Sequence, residues 1–289
     1  MPALREGCAG RQAGIAGCVN GPANPEGDAA LRTLKLTVQY DGTNYVGWQR
    51  QAEGVSIQGL LEEALEPFEG EPLTVHGAGR TDAGVHALAQ VASVRTRTEH
   101  STATLQRALN AVLPVDVRVL AVEDTAPEFH ARFDAVSKTY EYRIANAPVV
   151  SAFDHRYVWH VPGQLNVDAM RRSADALLGR HDFAAFQSSG GEVHTTERTI
   201  LAIGVGSDQG QTGVRPGSDQ GQTPLLVITV TGDGFLRHMV RSIAGTLVDV
   251  GLGRWSANYV AEILASRDRR RAGRSAPASG LFLVRVDYP

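Results

Sequence analysis

The chain has 289 residues, of which 43% are hydrophobic and 20% are charged, and its formal net charge is −3. This length allows one large domain or two medium ones with their own cores, so stability need not come from metals or disulfides. The slightly acidic balance argues against a protein that coats nucleic acid non-specifically, because such proteins carry a strong positive charge. No apolar run approaches the roughly 20 residues that span a bilayer, so we expect a protein outside the membrane.

Residues 1–32 are rich in Gly, Ala and Pro and have no sustained hydrophobic period, which predicts a disordered leader or a start codon placed too early. The segment lacks the charged start and apolar middle of a secretory signal. It contains the two cysteines of the chain, Cys8 and Cys18. This cysteine usage fits a reducing compartment, and we expect a cytoplasmic protein.

Residues 33–137 show the periodicity of a βαββαβ unit. Alternating apolar residues from Leu34 to Tyr40 indicate a half-buried strand, and Ser56 stands where a helix N-cap belongs. The predicted strands are Leu34 to Tyr40, Leu73 to Gly77, Ala89 to Val94 and Val117 to Val122, and the predicted helices are Ile57 to Phe68 and Thr104 to Val112. This order is typical of a ferredoxin-like domain, in which helices cover one face of an antiparallel sheet.

Residues 138–289 repeat this plan with an additional helix before the last strand. The predicted strands are Thr139 to Ala145, Thr199 to Val205, Leu225 to Val230 and Leu281 to Val286, and the predicted helices are Val167 to Leu178 behind Asn166, Phe235 to Val250 and Ala257 to Ala265. Two such halves, joined edge to edge, predict an α+β fold. It would have one extended, mostly antiparallel sheet with helices on one face and a central cleft.

Two segments depart from this pattern. The heptad GSDQGQT occurs at 206–212 and again at 217–223. Because such a polar, glycine-rich stretch cannot bury apolar surface, residues 206–224 are predicted to form a flexible loop. The segment from Arg267 to Arg274 contains five arginines and one aspartate. A charge run of this kind is usually a solvated loop, and the alternative is a set of phosphate contacts.

The segment from His76 to His86 leaves a predicted strand and is rich in glycine. Glycines allow left-handed backbone angles and the close approach of a bulky ligand, but they also form ordinary turns. Taken alone, Thr81 to Gly84 reads as a tight turn. A nucleotide-binding loop is a weaker interpretation, because the GxGxxG spacing and the helix that should follow are both missing.

Residues 79–87 read Gly-Arg-Thr-Asp-Ala-Gly-Val-His-Ala, which is identical at all nine positions to the central motif of the TruA-type tRNA pseudouridine synthases. Further segments resemble that family in the same order: 40–49, 130–133, 138–142, 235–241 and 276–284. The resemblance runs from about residue 34 to the C-terminus. It implies an isomerase, an intramolecular transferase, that converts uridine to pseudouridine at positions 38, 39 and 40 of the tRNA anticodon stem-loop. It also implies a homodimer that needs no cofactor.

The resemblance implies roles for single residues as well. Asp82 matches the family's essential aspartate, which attacks the nucleoside at base C6 or sugar C1′. Arg241 matches an arginine whose bidentate guanidinium would hold that carboxylate in its charged form. Tyr140 matches a tyrosine that stacks on the uracil, and Arg80 matches an arginine that helps to extrude the target base. Candidate phosphate contacts in the central RNA-binding cleft are Lys138, Arg132 and Arg237.

Other classes of protein fit parts of the sequence. A non-catalytic RNA-binding module would expose aromatic side chains on a ferredoxin-like sheet, but the aromatic-rich strand typical of such modules is not found. A carboxylate-dependent hydrolase would need a second carboxylate near Asp82, and no spacing pairs Asp41 or Asp233 with it. The histidines include no pair at helical i, i+4 spacing, so no metal site is expected.

Overall fold

A computed structural model of the chain describes residues 30–188, 190, 194–207 and 225–289. The strands in these ranges are β1 (Arg32–Tyr40), β2 (His76–Gly77), β3 (His86–Thr96), β4 (Val117–Thr125), β5 (Ser137–Ala145), β6 (Trp159–His160), β7 (Gly179–Asp182), β8 (Glu197–Ser207), β9 (Leu225–Gly232) and β10 (Leu281–Asp287). The helices are α1 (Ile57–Glu69), α2 (Thr102–Val112), α3 (Val167–Asp175), α4 (Met239–Gly251) and α5 (Tyr259–Ser266).

The strands form one sheet in the order β4-β1-β3-β10-β5-β9-β8-β7, with β2 pairing with β3 and β6 pairing with β5. Most neighbouring strands are antiparallel; β10 runs parallel to β3, with Phe282 opposite His86, and β6 runs parallel to β5. The predicted α+β class with a mostly antiparallel sheet is therefore confirmed. The division into halves at residues 137 and 138 stays a prediction, as does the central cleft.

A single large core lies between the sheet and the helices. Leu34, Leu36, Val38 and Tyr40 alternate along β1 and are all buried, because successive residues of a strand point to opposite faces. Each of the helices α1 to α5 adds apolar side chains to the same core, among them Leu61, Leu109, Met170, Leu247 and Ile263.

The opposite face of the sheet carries a smaller apolar cluster. Val91 alternates along β3 with Ala92, which belongs to the large core, and Val91 packs instead with Ala78 and Ala131. Phe129 and Tyr288 pack against this group. The segment around Ala131 therefore covers part of the face that the helices leave uncovered.

Two helices begin at the caps that the sequence predicts. The Ser56 hydroxyl accepts a hydrogen bond from the backbone N–H of Gly59, and the Asn166 side chain accepts one from Ala169. Both contacts satisfy amide groups that the first helical turn leaves without partners. The βαββαβ order of β1, α1, β2, β3, α2 and β4 is confirmed.

Several predicted boundaries were wrong. α4 begins at Met239 rather than Phe235, because His238 has the left-handed angles φ 60 and ψ 6, which no right-handed helix contains. β2 covers only His76–Gly77, and α3 ends at Asp175. The short strands β6 and β7 were not predicted, since a strand of two to four residues shows almost no periodicity.

Two predictions fall mainly outside the described residues. The leader 1–32 overlaps the described part of the chain only from residue 30, and there β1 already begins at Arg32. The predicted loop 206–224 overlaps it only at the end of β8, which continues to Ser207. In the described parts of the chain, no helix has both the length and the apolar character of a membrane span.

Candidate active site

Asp82 lies in the connection between β2 and β3, and neighbouring backbone fixes its position. Gly47 forms an isolated antiparallel bridge with Asp82, and the Trp48 N–H donates to the Thr81 carbonyl at 3.0 Å. Gly47 has φ +107, and a Cβ there would lie only 2.4 Å from the Thr81 oxygen, so this close approach requires glycine. The Tyr40 and Thr81 hydroxyls are 2.9 Å apart. The aspartate is thus held on a tethered loop.

The Asp82 carboxylate contacts two side chains through one of its oxygens. Arg241 Nη1 donates to Oδ2 at 3.3 Å, and His238 Nε2 lies 3.3 Å from the same oxygen. Oδ1 has no hydrogen-bond or ion-pair partner among the residues that the structure describes. The side chain is 29% exposed. One oxygen is therefore anchored, and the other is available to a ligand.

Arg241 reaches Asp82 from the first turn of α4 and is itself held by the segment before β10. Its Nε donates to the Ala276 carbonyl at 2.7 Å, and the Ala276 N–H donates to the Arg241 carbonyl at 3.0 Å. The guanidinium therefore divides its hydrogen bonds between the carboxylate and the backbone, and the expected bidentate contact is replaced by a single one. The pairing of Arg241 with Asp82 is as the resemblance implies.

His238 was not predicted as a site residue. It stands three residues before Arg241, outside the helix and with left-handed backbone angles, so helical spacing in the sequence does not single it out. Its Nδ1 lies 2.9 Å from the Ser188 hydroxyl oxygen. Burial lowers the pKa of His238 below its ordinary value; Asp82 opposes this shift, and Arg241 reinforces it. The imidazole is therefore neutral near pH 7.

Tyr140 lies on β5 close to the aspartate loop. A Cβ at Gly79 would be 3.8 Å from the Tyr140 hydroxyl oxygen, and the ring meets Phe235 edge to face at a centroid distance of 5.1 Å. Burial raises the pKa of the Tyr140 phenol, and Tyr40 and Asp82 raise it further, so the phenol keeps its proton at neutral pH. The residue is 7% exposed, so little of its ring face is open, and its stacking role stays a prediction.

The residue predicted to extrude the base and those predicted to contact phosphates are placed differently from one another. Arg80 is exposed and has no ion pair or hydrogen bond with any described side chain. Lys138 packs beside the loop, since a Cβ at Gly79 would lie 3.6 Å from its Cε. Burial lowers the pKa of Lys138, and the nearby positive charge of Arg132 lowers it further. Arg237 is exposed and reaches towards the carbonyl of Gly190, at 3.5 Å.

The arginine run at 267–274 has partners within the protein. Arg267 pairs with Asp182 at 3.1 Å, Arg270 with Asp268 at 2.7 Å and Arg271 with Glu262 at 3.2 Å. Arg269 donates to the carbonyls of Ala272 and Gly273, and the Arg274 guanidinium lies 5.0 Å from the centre of the Trp159 ring. Their charges are thus largely engaged in holding this connection together.

The described residues contain no group of three or more His, Cys, Asp or Glu side chains that could hold a metal ion. The site around Asp82 consists instead of one carboxylate, one guanidinium, one imidazole and one phenol.

A family model described as tRNA pseudouridine synthase matches residues 36–134 and 173–289, which include all of these side chains except Tyr140. The chain belongs to this family. The tRNA pseudouridine synthases are isomerases, and curated members resemble the chain over almost their whole length.

Relatives named tRNA pseudouridine synthase A include one from Pelobacter propionicus, which is 46% identical over 89% of this chain and 100% of its own length. Another, from Solidesulfovibrio magneticus, is 45% identical over 89% of this chain and 92% of its own. A protein named tRNA pseudouridine synthase A 2, from Clostridium tetani, is 41% identical over 89% of this chain and 99% of its own.

Proposed function

We propose that this chain converts uridine to pseudouridine at positions 38, 39 and 40 of the tRNA anticodon stem-loop, with Asp82 as the nucleophile. The observation that carries the proposal is the Asp82 carboxylate, anchored at Oδ2 by Arg241 and unpartnered at Oδ1 among the described residues. A nucleophile needs a charged, oriented oxygen, and a guanidinium contact favours the charged form while it fixes the direction of the carboxylate.

The reaction is an isomerisation that one carboxylate can support. The N1–C1′ bond of uridine breaks, the uracil turns, and a C5–C1′ bond forms. C5 loses its hydrogen as a proton, and N1 gains a proton, so the atoms balance without an oxidant, a reductant or water. Asp82 attacks either C6 of the base or C1′ of the sugar, and the oxygen–carbon bond formed in this way breaks again before the product leaves, which restores the carboxylate. Because no electrons are exchanged, we expect no redox cofactor.

The substrate must first leave the base stack. Extruding a base costs a few kcal/mol, and a cation that fills the vacated space or pairs with a phosphate offsets this cost. Arg80 is suited to this role because it is exposed, lies two residues before Asp82 and has no competing ion pair among the described side chains. Lys138, Arg132 and Arg237 would position the tRNA through its phosphates, which carry no sequence information.

The assembly and compartment belong to the same proposal. With a net charge of −3, one subunit offers little overall attraction for RNA. Two subunits could concentrate their cations along shared clefts while each remains mildly acidic. We therefore expect a homodimer, which sedimentation of the purified protein with and without tRNA would test. A tRNA substrate also implies a cytoplasmic location.

The decisive experiment measures tritium release from tRNA that carries 5-tritiated uridine. The wild type should release tritium, and Asp82→Asn should release none above background while it still binds tRNA, because the amide keeps the size of the side chain but cannot attack. Equal release by both proteins would remove Asp82 from the mechanism. Tight tRNA binding by a wild type that releases no tritium would favour a non-catalytic RNA-binding module. Mapping pseudouridine in the product tRNA tests positions 38 to 40.

A further inference from the structure

Phe133 is a large apolar side chain that faces solvent. It is 75% exposed, and it lies in the turn from His130 to Asp134 that leads into β5. Burial of such a side chain would stabilise the fold, a gain that the protein does not obtain here. Exposure alone does not mark a binding site, since Phe153 is 89% exposed, but the surroundings of Phe133 set it apart.

The turn that carries Phe133 is tightly fixed. The Phe133 and Asp134 N–H groups both donate to the His130 carbonyl, at 3.1 Å each, and the Asp134 carboxylate accepts from the His130 N–H at 2.8 Å. Ala131 anchors the turn to the sheet, because its N–H donates to Ser93 and its carbonyl accepts from Tyr288. A ring on so rigid a support would lose little freedom when it binds a partner.

The ring also has a defined setting of aromatic and charged neighbours. The rings of His76 and His130 lie 4.9 Å apart, tilted by 31°, and those of His130 and Phe133 lie 4.3 Å apart, tilted by 35°. The Arg132 guanidinium lies 5.7 Å from the centre of the Phe133 ring, within the range of a cation–π contact. We call the rings of His76, His130 and Phe133 the aromatic ladder. Exposed aromatic rings beside a cation are a surface on which nucleobases stack.

The ladder is connected to the aspartate loop through charged side chains. Arg132 is close enough to Lys138 to lower its pKa, after the larger effect of burial. Lys138 in turn packs beside Gly79, three residues before Asp82. Cations therefore extend from the exposed ring to the loop, and they complement the phosphates of a strand that passes over both.

We infer that Phe133 is a stacking platform for an unpaired base of the RNA substrate. The inference rests on the proposed function and adds to it a second contact point for the RNA. The Arg132 guanidinium, 5.7 Å from the centre of the ring, contributes positive charge that would attract the phosphate of the stacked nucleotide. Because the ring offers a flat surface and no hydrogen-bonding group, the platform accepts any of the four bases.

The test uses an unmodified tRNA transcript and proteins that all carry Asp82→Asn, so that binding is measured without turnover. Phe133→Ala should weaken binding by about 5-fold to 150-fold, the range that loss of one stacked base produces. Phe133→Tyr, which keeps a flat ring, should bind within about twofold of the parent. Phe133→Leu, which keeps the apolar bulk but not the flat surface, should resemble Phe133→Ala.

Phe153→Ala is the matched control. Phe153 is 89% exposed, and its ring has no aromatic or cationic neighbour among the described residues, so its removal should leave tRNA affinity unchanged. The slope of log K against log salt should be the same for Phe133→Ala and the parent, because the ring carries no charge. Thermal melting checks that each variant folds.

Other outcomes would overturn the inference. Equal affinity of Phe133→Ala and the parent would show that no base stacks there, and equal loss in Phe133→Tyr would show that a flat ring is not what matters. If Phe133→Ala instead changed the sedimentation coefficient of the RNA-free protein, the ring would be a contact with a second copy of the chain. Failure of the platform is separable from failure of the proposed function, because tritium release by the wild type does not depend on the outcome at Phe133.

Discussion

Two groups of arginines in this protein carry the same kind of charge but differ in what they contact. Those at 267–274 are dense along the chain and are engaged with carboxylates, carbonyls or a tryptophan ring. Arg80, Arg132 and Arg241 are far apart along the chain and lie at or near the aspartate loop. The comparison favours Arg80 and Arg132 over the dense run as candidates for contacts with RNA, because the charges of the run are already engaged within the protein.

The largest effect is expected at Arg241, the arginine that contacts Asp82 directly. Arg241→Lys should lower kcat by about 100-fold or more, because an ammonium cannot donate to both the Ala276 carbonyl and the carboxylate in the geometry of a guanidinium. KM for tRNA should change little, which single-turnover and steady-state assays would measure. A rise in KM with kcat unchanged would instead show that Arg241 binds the substrate and does not take part in catalysis.

The next largest effect is expected at Arg80, and Arg270 from the arginine run provides the comparison. Arg80→Ala should lower kcat/KM by about 10-fold to 100-fold, because base extrusion costs a few kcal/mol and would lose its offset. Arg270→Ala removes a similarly exposed guanidinium that is already paired with Asp268, so it should stay within about twofold of wild type. Similar losses in both variants would erase the distinction between the two groups.

A smaller effect concerns the pH profile and His238. The pKa of this imidazole is lowered, so it is neutral near pH 7 and gains a proton only as the pH falls below its ordinary range. The imidazolium would then neutralise part of the charge of Asp82, which lies 3.3 Å away, and slow the attack. Activity of the wild type should therefore fall on the acid side, and His238→Asn should show a shallower fall. Superimposable pH profiles of the two proteins would assign the loss to another group.

The smallest expected effects appear in salt titrations of tRNA binding. Wild-type affinity should fall with salt, and Lys138→Ala or Arg132→Ala should reduce the slope by about 0.7–0.9, the value for one phosphate contact. Arg271→Ala should leave the slope unchanged, since Arg271 pairs with Glu262. A wild-type slope near zero would contradict phosphate contacts altogether.

Local periodicity predicted most of the fold. The helix caps at Ser56 and Asn166 and the alternation of β1 are properties of neighbouring residues, and these predictions were confirmed. The place of β10 between β3 and β5 could not be predicted in this way, because strand neighbours depend on pairing between residues far apart in the chain. The left-handed angles of His238, which delay the start of α4, are likewise imposed by the surroundings.

The site also contains residues that the sequence predicted and one that it did not. Asp82 and Arg241 were predicted from the family motif, and the structure places them in contact. His238 was missed, because a lone histidine before a helix carries no signal until its neighbour across the fold is known. The single contact between Arg241 and Asp82 also depends on Ala276, whose carbonyl takes the second hydrogen bond of the guanidinium.

The position of β10 has a consequence for how the protein is made. Its residues lie between β3 and β5, and the segment just before it holds Arg241 through Ala276. Both contacts become available only after the ribosome has synthesised residues 276–287. Until then the nascent chain can form its early helices and hairpins but cannot join them across the middle of the sheet. In a ribosome-bound intermediate, Asp82 and Arg241 should therefore be apart. The complete site should form late, when β10 joins the sheet.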